Sequence, residues 1–248
     1  MASATVQPAE TPEPVNAIGR IFGALFSPKE TFESIARRPT WLLPLLLICA
    51  ITLGVIGLFG HRVGWRSFFE KQDANSSRFE ESSAQQQQQA LELQAKYGPP
   101  YIYSIGAVSP IIVELVIAGV LLGVFNGLAG AQLNFKTSLG IVAHSWMPGL
   151  ISGLLGVLVL FLKDPSTIDL QNLVASNAGA FASSSSPKWL VTLLTSIDLF
   201  TFWMMILMAI GYSVAAPKEL SFGKAFGTIL FIWLLVVLAR VGAAAAFS

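Results

Sequence analysis

Hydrophobic positions along the chain gather into long unbroken runs. Crossing a hydrocarbon core of about 30 Å takes roughly 20 residues of helix, and five runs meet that length: 41–60, 104–128, 139–162, 190–215 and 222–246. Ahead of the first, the pattern changes period. Ile18, Ile21, Phe22 and Leu25 recur at i, i+3, i+4, i+7, and Phe32, Ile35 and Ala36 carry the apolar stripe onward. Such spacing predicts an amphipathic helix lying in the interface plane over 18–40. The predicted fold is an all-α integral membrane protein, a five-span helix bundle over 41–248 with an N-terminal amphipathic interfacial segment.

The stretch SPKETFESIARRPTWLLP at 27–44 joins that segment to the first span. Ser27 suits an N-cap, Pro28 the first helical position, and Glu30 completes an S-x-x-E capping box. Arg37 and Arg38 fall in the last turn, where cations complement the helix dipole, and Pro39 ends the helix. With Phe22 and Phe32 on the apolar side, Arg37 and Arg38 are expected at the membrane surface, meeting anionic headgroups. Two roles fit the segment: a topology anchor, and a docking or curvature-sensing element.

Residues 1–17 are polar, proline-bearing and acidic, which predicts a disordered tail and no cleavable signal peptide. The long loop 61–103 is rich in helix formers and carries a glutamine run at 85–89. A helix standing off the membrane is expected there, stopped at Gly98, Pro99 and Pro100.

Composition agrees with the pattern, at 54% hydrophobic and 12% charged residues and a mean hydropathy of +0.65, against roughly a quarter charged in soluble domains. A formal net charge of +1 leaves no basic footprint for nucleic acid. One cysteine, Cys49, sits in an apolar run and reads as a small core residue. Charge placement sets the orientation. The side holding Arg20, Lys29, Arg37, Arg38, Lys136, Lys218 and Lys224 outweighs the other, whose long loop mixes basic with acidic residues. The N-terminus is therefore placed in the cytoplasm and the C-terminus outside.

Polar residues inside spans are the candidate functional set: Glu114, Asp198, Arg240, His144 and Asn126. Glu114 falls near mid-membrane without a basic partner at its level. Asp198 falls about 12 Å inside, where Arg240 or the hydroxyls of Thr195 and Thr201 could meet it. His144 and Asn126 are placed for a mutual hydrogen bond. Polar glue between helices and a proton or ion path are the two readings of this set. Small-xxx-small spacing at Gly119, Gly123 and Gly127, at Gly149 and Gly153, and at Gly223 and Gly227 predicts close helix packing, within the chain or between protomers. An internal echo aligns LNFKTSLGIVAHSW from Leu133 with LSFGKAFGTILFIW from Leu220, matching Leu133 with Leu220, Phe135 with Phe222, Gly140 with Gly227 and Trp146 with Trp233. No metal-ligand cluster, nucleophile elbow or phosphate loop is legible, so no cofactor and no enzyme activity are expected.

With these residues in hand, the chain resembles the YIP membrane family (Ypt/Rab-interacting proteins), in a form similar to its bacterial branch. The resemblance runs over roughly 18–245 and rests on the N-terminal SPKETFESIARRPTWLLPLLL, on the D-x-F-x-x-W of Asp198, Phe200 and Trp203, on a turn at Gly211, and on 221–225. It implies five spans with a cytoplasmic N-terminus and a home in a bacterial cell membrane. Eukaryotic members are associated with small GTPases, but the acidic, tyrosine-bearing N-terminal region and the D-L-x-G-P-type signature that go with them are absent here, so GTPase binding is not implied. The functional expectation is a membrane-organising or scaffold protein whose partners are the lipid bilayer and other membrane proteins or copies of itself. The alternative is a small-solute or ion permease built on Glu114 and Asp198.

Overall fold

The computed structural model describes residues 16–73, 82–168, 170, 172–183 and 186–246; the tail expected to be disordered lies outside the described residues up to position 15. Asn16 begins the first helix, α1 (Ala17–Phe26), by accepting a hydrogen bond from the Gly19 amide at 2.6 Å. At Ser27 the chain turns directly into α2 (Pro28–Arg37). Ser27 closes one helix and opens the next: its amide donates to Gly23 O at 2.8 Å and its carbonyl accepts from the Thr31 amide at 3.2 Å. The expected capping box does not form, because Ser27 adopts φ −140° and ψ 58° and its hydroxyl makes no capping bond. A residue shared by two helices takes the dihedral angles of the reversal, which do not aim its side chain along the second axis.

The first span is α3 (Leu42–Arg62), followed by a short helix α4 (Trp65–Asp73). The next helix, α5 (Ala84–Ala129), is 46 residues long, about 69 Å at 1.5 Å per residue. It opens with a capping box, the Ser83 hydroxyl accepting from the Gln86 amide and the Gln86 side chain from the Ser83 amide. The expected stop at Gly98, Pro99 and Pro100 does not occur: these residues and Pro110 all lie inside α5. Proline removes an amide donor and disfavours helix interiors, and here packing overrides it. Phe69 of α4 lies so close over Gly98 that a Cβ there would sit 2.2 Å from Phe69 Cζ. Trp65 meets Tyr103 edge to face at 6.0 Å. The stand-off helix and the second span are thus one rod, braced by α4.

After a left-handed turn at Gly130 (φ 69°) come α6 (Phe135–Ser145) and α7 (Met147–Leu162). They form one apolar path, bent at Trp146, where the Trp146 amide reaches back three residues to Ala143 O and the Gly149 amide to Trp146 O. Pro148 lies in the first turn of α7, where a missing amide costs little. The segment expected as a single fourth span is divided into α8 (Lys188–Ser196) and α9 (Leu199–Ala215), interrupted at Ile197 and Asp198. The last helix is α10 (Phe222–Ala246). Among the described residues four helical segments are long and apolar enough to cross a membrane, namely Leu42–Arg62, Ala84–Ala129, Phe135–Leu162 and Phe222–Ala246, and Leu199–Ala215 is a shorter apolar helix. Gly211 is buried inside α9, so the turn expected there is absent.

The principal core draws on α2, α5, α6, α9 and α10, through Phe32, Phe125, Ile141, Leu207, Tyr212 and Ile229 among others. Phe32 and Ile35 are fully buried, which corrects the placement of Phe32 at the membrane surface. A Cβ on Gly211 would lie 2.4 Å from Ile141 Cγ2 and 3.1 Å from Phe32 Cδ1, so the bare glycine is what lets α9 approach α6 and α2 together. The apolar stripe that does face outward is on α1, where Ile18, Phe22 and Phe26 are 60–77% exposed. Arg37 and Arg38 are exposed at the end of α2.

Close packing holds for part of the small-residue set. Gly149 and Gly153 pack on α3, a Cβ on Gly153 falling 2.4 Å from Ile51 Cγ1, whereas Gly119, Gly123, Gly127, Gly223 and Gly227 face open space. Of the seven, two make close contact within the chain, and α5 turns the opposite face, with Glu114, Ala118, Leu121 and Phe125, into the bundle. The internal echo survives at the helix starts. Asn134 accepts from the Thr137 amide and Ser221 from the Lys224 amide, at matching positions of the two copies. Further along they diverge, since Gly140 packs against Ile35 and Thr40 O while Gly227 has no neighbour.

Candidate functional site

The polar groups inside the helices resolve into separate local arrangements. Asn126 clasps the chain after α5: its Nδ2 donates to Leu133 O at 2.8 Å and its Oδ1 accepts from the Leu133 amide at 2.9 Å. Pinning the turn before α6 is the role of a side-chain amide that mimics backbone. His144 is buried and its Nδ1 bonds Gly140 O at 2.8 Å on its own helix. The expected His144–Asn126 bond is not made, because each side chain finds a backbone partner nearer in sequence.

Asp198 is not a carboxylate set within a continuous span. It is the N-cap of α9, its Oδ2 accepting from the Thr201 amide at 2.8 Å and the Thr201 hydroxyl at 3.0 Å, its Oδ1 from the Ser176 hydroxyl at 2.5 Å. An isolated antiparallel bridge between Asn177 and Asp198 ties the 172–178 segment to this break. Aspartate is a strong N-cap and a poor helix interior residue, so the chain breaks where it stands. Of the expected partners Thr201 is used, Thr195 donates instead to Val191 O, and Arg240 makes no hydrogen bond or ion pair among the described residues.

Glu114 stands apart. It is 1% exposed, and neither carboxylate oxygen has a hydrogen-bond partner among the described residues. Cys49 of α3 directs its thiol to Ala107 O at 3.8 Å. Neither Glu114 nor Asp198 lines the cleft between α3 and α7, the one beside α8 or the one between α5 and α10.

Two arrangements escaped sequence reasoning. Arg20 is 4% exposed and binds the end of α2: Nη1 donates to Arg38 O at 2.8 Å and Thr40 Oγ1 at 2.9 Å, and Nη2 to Ser34 Oγ at 2.8 Å and Ser34 O at 3.3 Å. A guanidinium fork suits the unpaired carbonyls at a helix C-terminus. Burial, and then repulsion from Arg38, draws the Arg20 guanidinium below its ordinary value. Its only sequence signal was an arginine on the border of an apolar stripe. The second arrangement joins three helices. Ser138 Oγ donates to Ala118 O at 2.7 Å and lies 2.5 Å from Tyr212 Oη, all buried. With the serine proton engaged by Ala118 O, the tyrosine hydroxyl is the donor to Ser138. The signal was a tyrosine in an apolar helix, a residue whose hydroxyl needs a partner when buried.

Taken together, apolar helices of spanning length and a polar interior tied mostly to backbone define a multi-pass helical membrane protein. The Yip1 domain model matches residues 22–243. The chain belongs to the Yip1 domain family, and the match takes in the second half of α1 and all of α2 as well as most of the membrane helices. It is 26% identical over 220 residues to the membrane protein YknW of Bacillus subtilis, covering 87% of each chain. No solved structure matches.

Proposed function

We propose that this protein is a non-enzymatic, membrane-organising or scaffold protein of a bacterial inner membrane, with five spans, a cytoplasmic N-terminus and an external C-terminus. In this reading α8 and α9 cross together as the fourth span despite their break, and α1 rests at the cytoplasmic surface through Ile18, Phe22 and Phe26, with Arg37 and Arg38 toward the headgroups. The observation that carries the proposal is the way the interior is occupied. Asn126, Ser138, His144, Tyr212 and Asp198 are all engaged by neighbours, and Glu114 and Asp198, the acids a permease would use, line none of the three clefts described above. Much of the outward helix surface is apolar or small, including Gly119, Gly123 and Gly127, the kind of face through which membrane helices associate. Partners are the bilayer and other membrane proteins or further copies.

Affinity purification of the full chain from membranes in mild detergent, followed by cross-linking and mass spectrometry, tests this. Recovery of a membrane protein, or of a second copy, in fixed ratio and cross-linked to the exposed faces of α5 or α10 is expected. Recovery of the chain as an uncomplexed monomer from its native membrane contradicts it.

A further inference from the structure

Two clefts adjoin at the end of the bundle that carries the 163–187 connection. The first, about 450 Å³, runs between α3 and α7 and has apolar walls that include Ile51, Val55 and Gly153. The second, about 680 Å³, lies beside α8 and is bordered by Arg240 of α10. Asn172 and Asn177 line both. Their side chains are joined, Asn177 Nδ2 donating to Asn172 Oδ1 at 2.9 Å, and together they mark the boundary between an apolar chamber and a polar one. Both volumes fall within the roughly 300–1,000 Å³ typical of ligand sites.

The charge in the polar chamber is uncompensated. Arg240 is exposed and makes no ion pair or hydrogen bond among the described residues, and no acidic residue lines this cleft. Asn172 retains an amide donor, since only its Oδ1 is engaged. A cation and an amide donor at the mouth of an apolar slot between membrane helices present one pattern: they complement a ligand with an anionic head and a hydrocarbon tail. At the depth of α3 and α7 the abundant apolar solute is an acyl chain. We infer that these clefts form a binding site for an anionic amphiphile, its headgroup held by Arg240 and Asn172 and its acyl chain in the slot between α3 and α7. Nothing in the proposed scaffold role requires this site, and it stands or falls on its own observations.

Native mass spectrometry of the full chain in mild detergent, titrated with dioleoylphosphatidylglycerol, dioleoylphosphatidylcholine and oleate, tests the assignment. A one-to-one adduct is expected with an anionic ligand, tighter than with phosphatidylcholine. Arg240→Gln should weaken it about fivefold, one basic contact at a membrane surface contributing on that scale, and Arg240→Lys should retain it. Ser152→Phe, which fills the slot from α7, should abolish it. Arg240 is exposed, so its variants report on binding even where the slot-filling variant fails to fold. Binding of phosphatidylglycerol alone identifies a bilayer lipid, of oleate alone a free fatty acid, and either supports the site. Equal affinity for phosphatidylcholine and phosphatidylglycerol, or unchanged binding in Arg240→Gln, overturns it.

Discussion

Phe32 and Gly211 meet inside the bundle: the ring of Phe32 is fully buried, and a Cβ on Gly211 would come within 3.1 Å of its Cδ1 and 2.4 Å of Ile141 Cγ2. A helix that reads as amphipathic and interfacial is therefore part of the core of the membrane domain. Gly211→Val should lower the detergent melting temperature, an overpacked core costing about 1–3 kcal/mol. Phe32→Ala should also destabilise, by about 3 kcal/mol. Because the two positions share one contact, the double variant should lose less than the sum. Strict additivity in thermal unfolding would show that they do not pack together.

Arg20 holds the α1–α2 pair closed by four hydrogen bonds to Ser34, Arg38 and Thr40. Arg20→Met removes the donor to Arg38 O and to the Ser34 and Thr40 hydroxyls, at about 1.5–3 kcal/mol for bonds to a charged group. Limited proteolysis should then cut near Ser27 faster than in the parent, while Arg20→Lys, a point charge without the fork, should fall between. An unchanged cleavage rate in Arg20→Met would remove Arg20 from this role.

Asp198 separates a cap from a transport residue. Asp198→Asn keeps an N-cap of comparable strength, so expression yield and melting temperature should stay nearly intact. Asp198→Leu loses the cap at about 0.5–2 kcal/mol and removes the short bond from the Ser176 hydroxyl. Ser176→Ala should reproduce part of that loss. Equal damage from Asn and Leu would mean that the charge itself matters.

Topology rests on the distribution of basic residues. Reporter fusions after Gly130 and after Ala216 should both report cytoplasm, and one after Ala182 the outside. An external signal at either of the first two positions inverts or breaks the five-span arrangement.

Much of the helical layout could be read along the chain, because apolar length and period are local properties. The starts of α6 and α10 were legible as an internal echo, and their caps at Asn134 and Ser221 match. Three features were not. Gly98, Pro99 and Pro100 read as a stop, yet α5 continues because Phe69 and Trp65, some thirty residues away, pack on it. Asp198 read as a charge within a span, since nothing local shows that the 172–178 segment returns to satisfy it. The stripe holding Phe32 has the same period whether it meets lipid or protein, so only the tertiary partners on α6 and α9 decide which. Glu114 reads along the chain as an acid without a basic partner, and neither of its carboxylate oxygens has a hydrogen-bond partner among the described residues.

The central claim is that Glu114 and Asp198 are structural and that the protein acts by interaction. Reconstitution of the full chain into sealed vesicles with an internal pH-sensitive dye, under an imposed pH gradient, tests it most directly. Proton flux should equal that of empty vesicles, and Glu114→Gln and Asp198→Asn should change nothing. A protein-dependent flux that Glu114→Gln or Asp198→Asn abolishes without loss of fold would contradict the account.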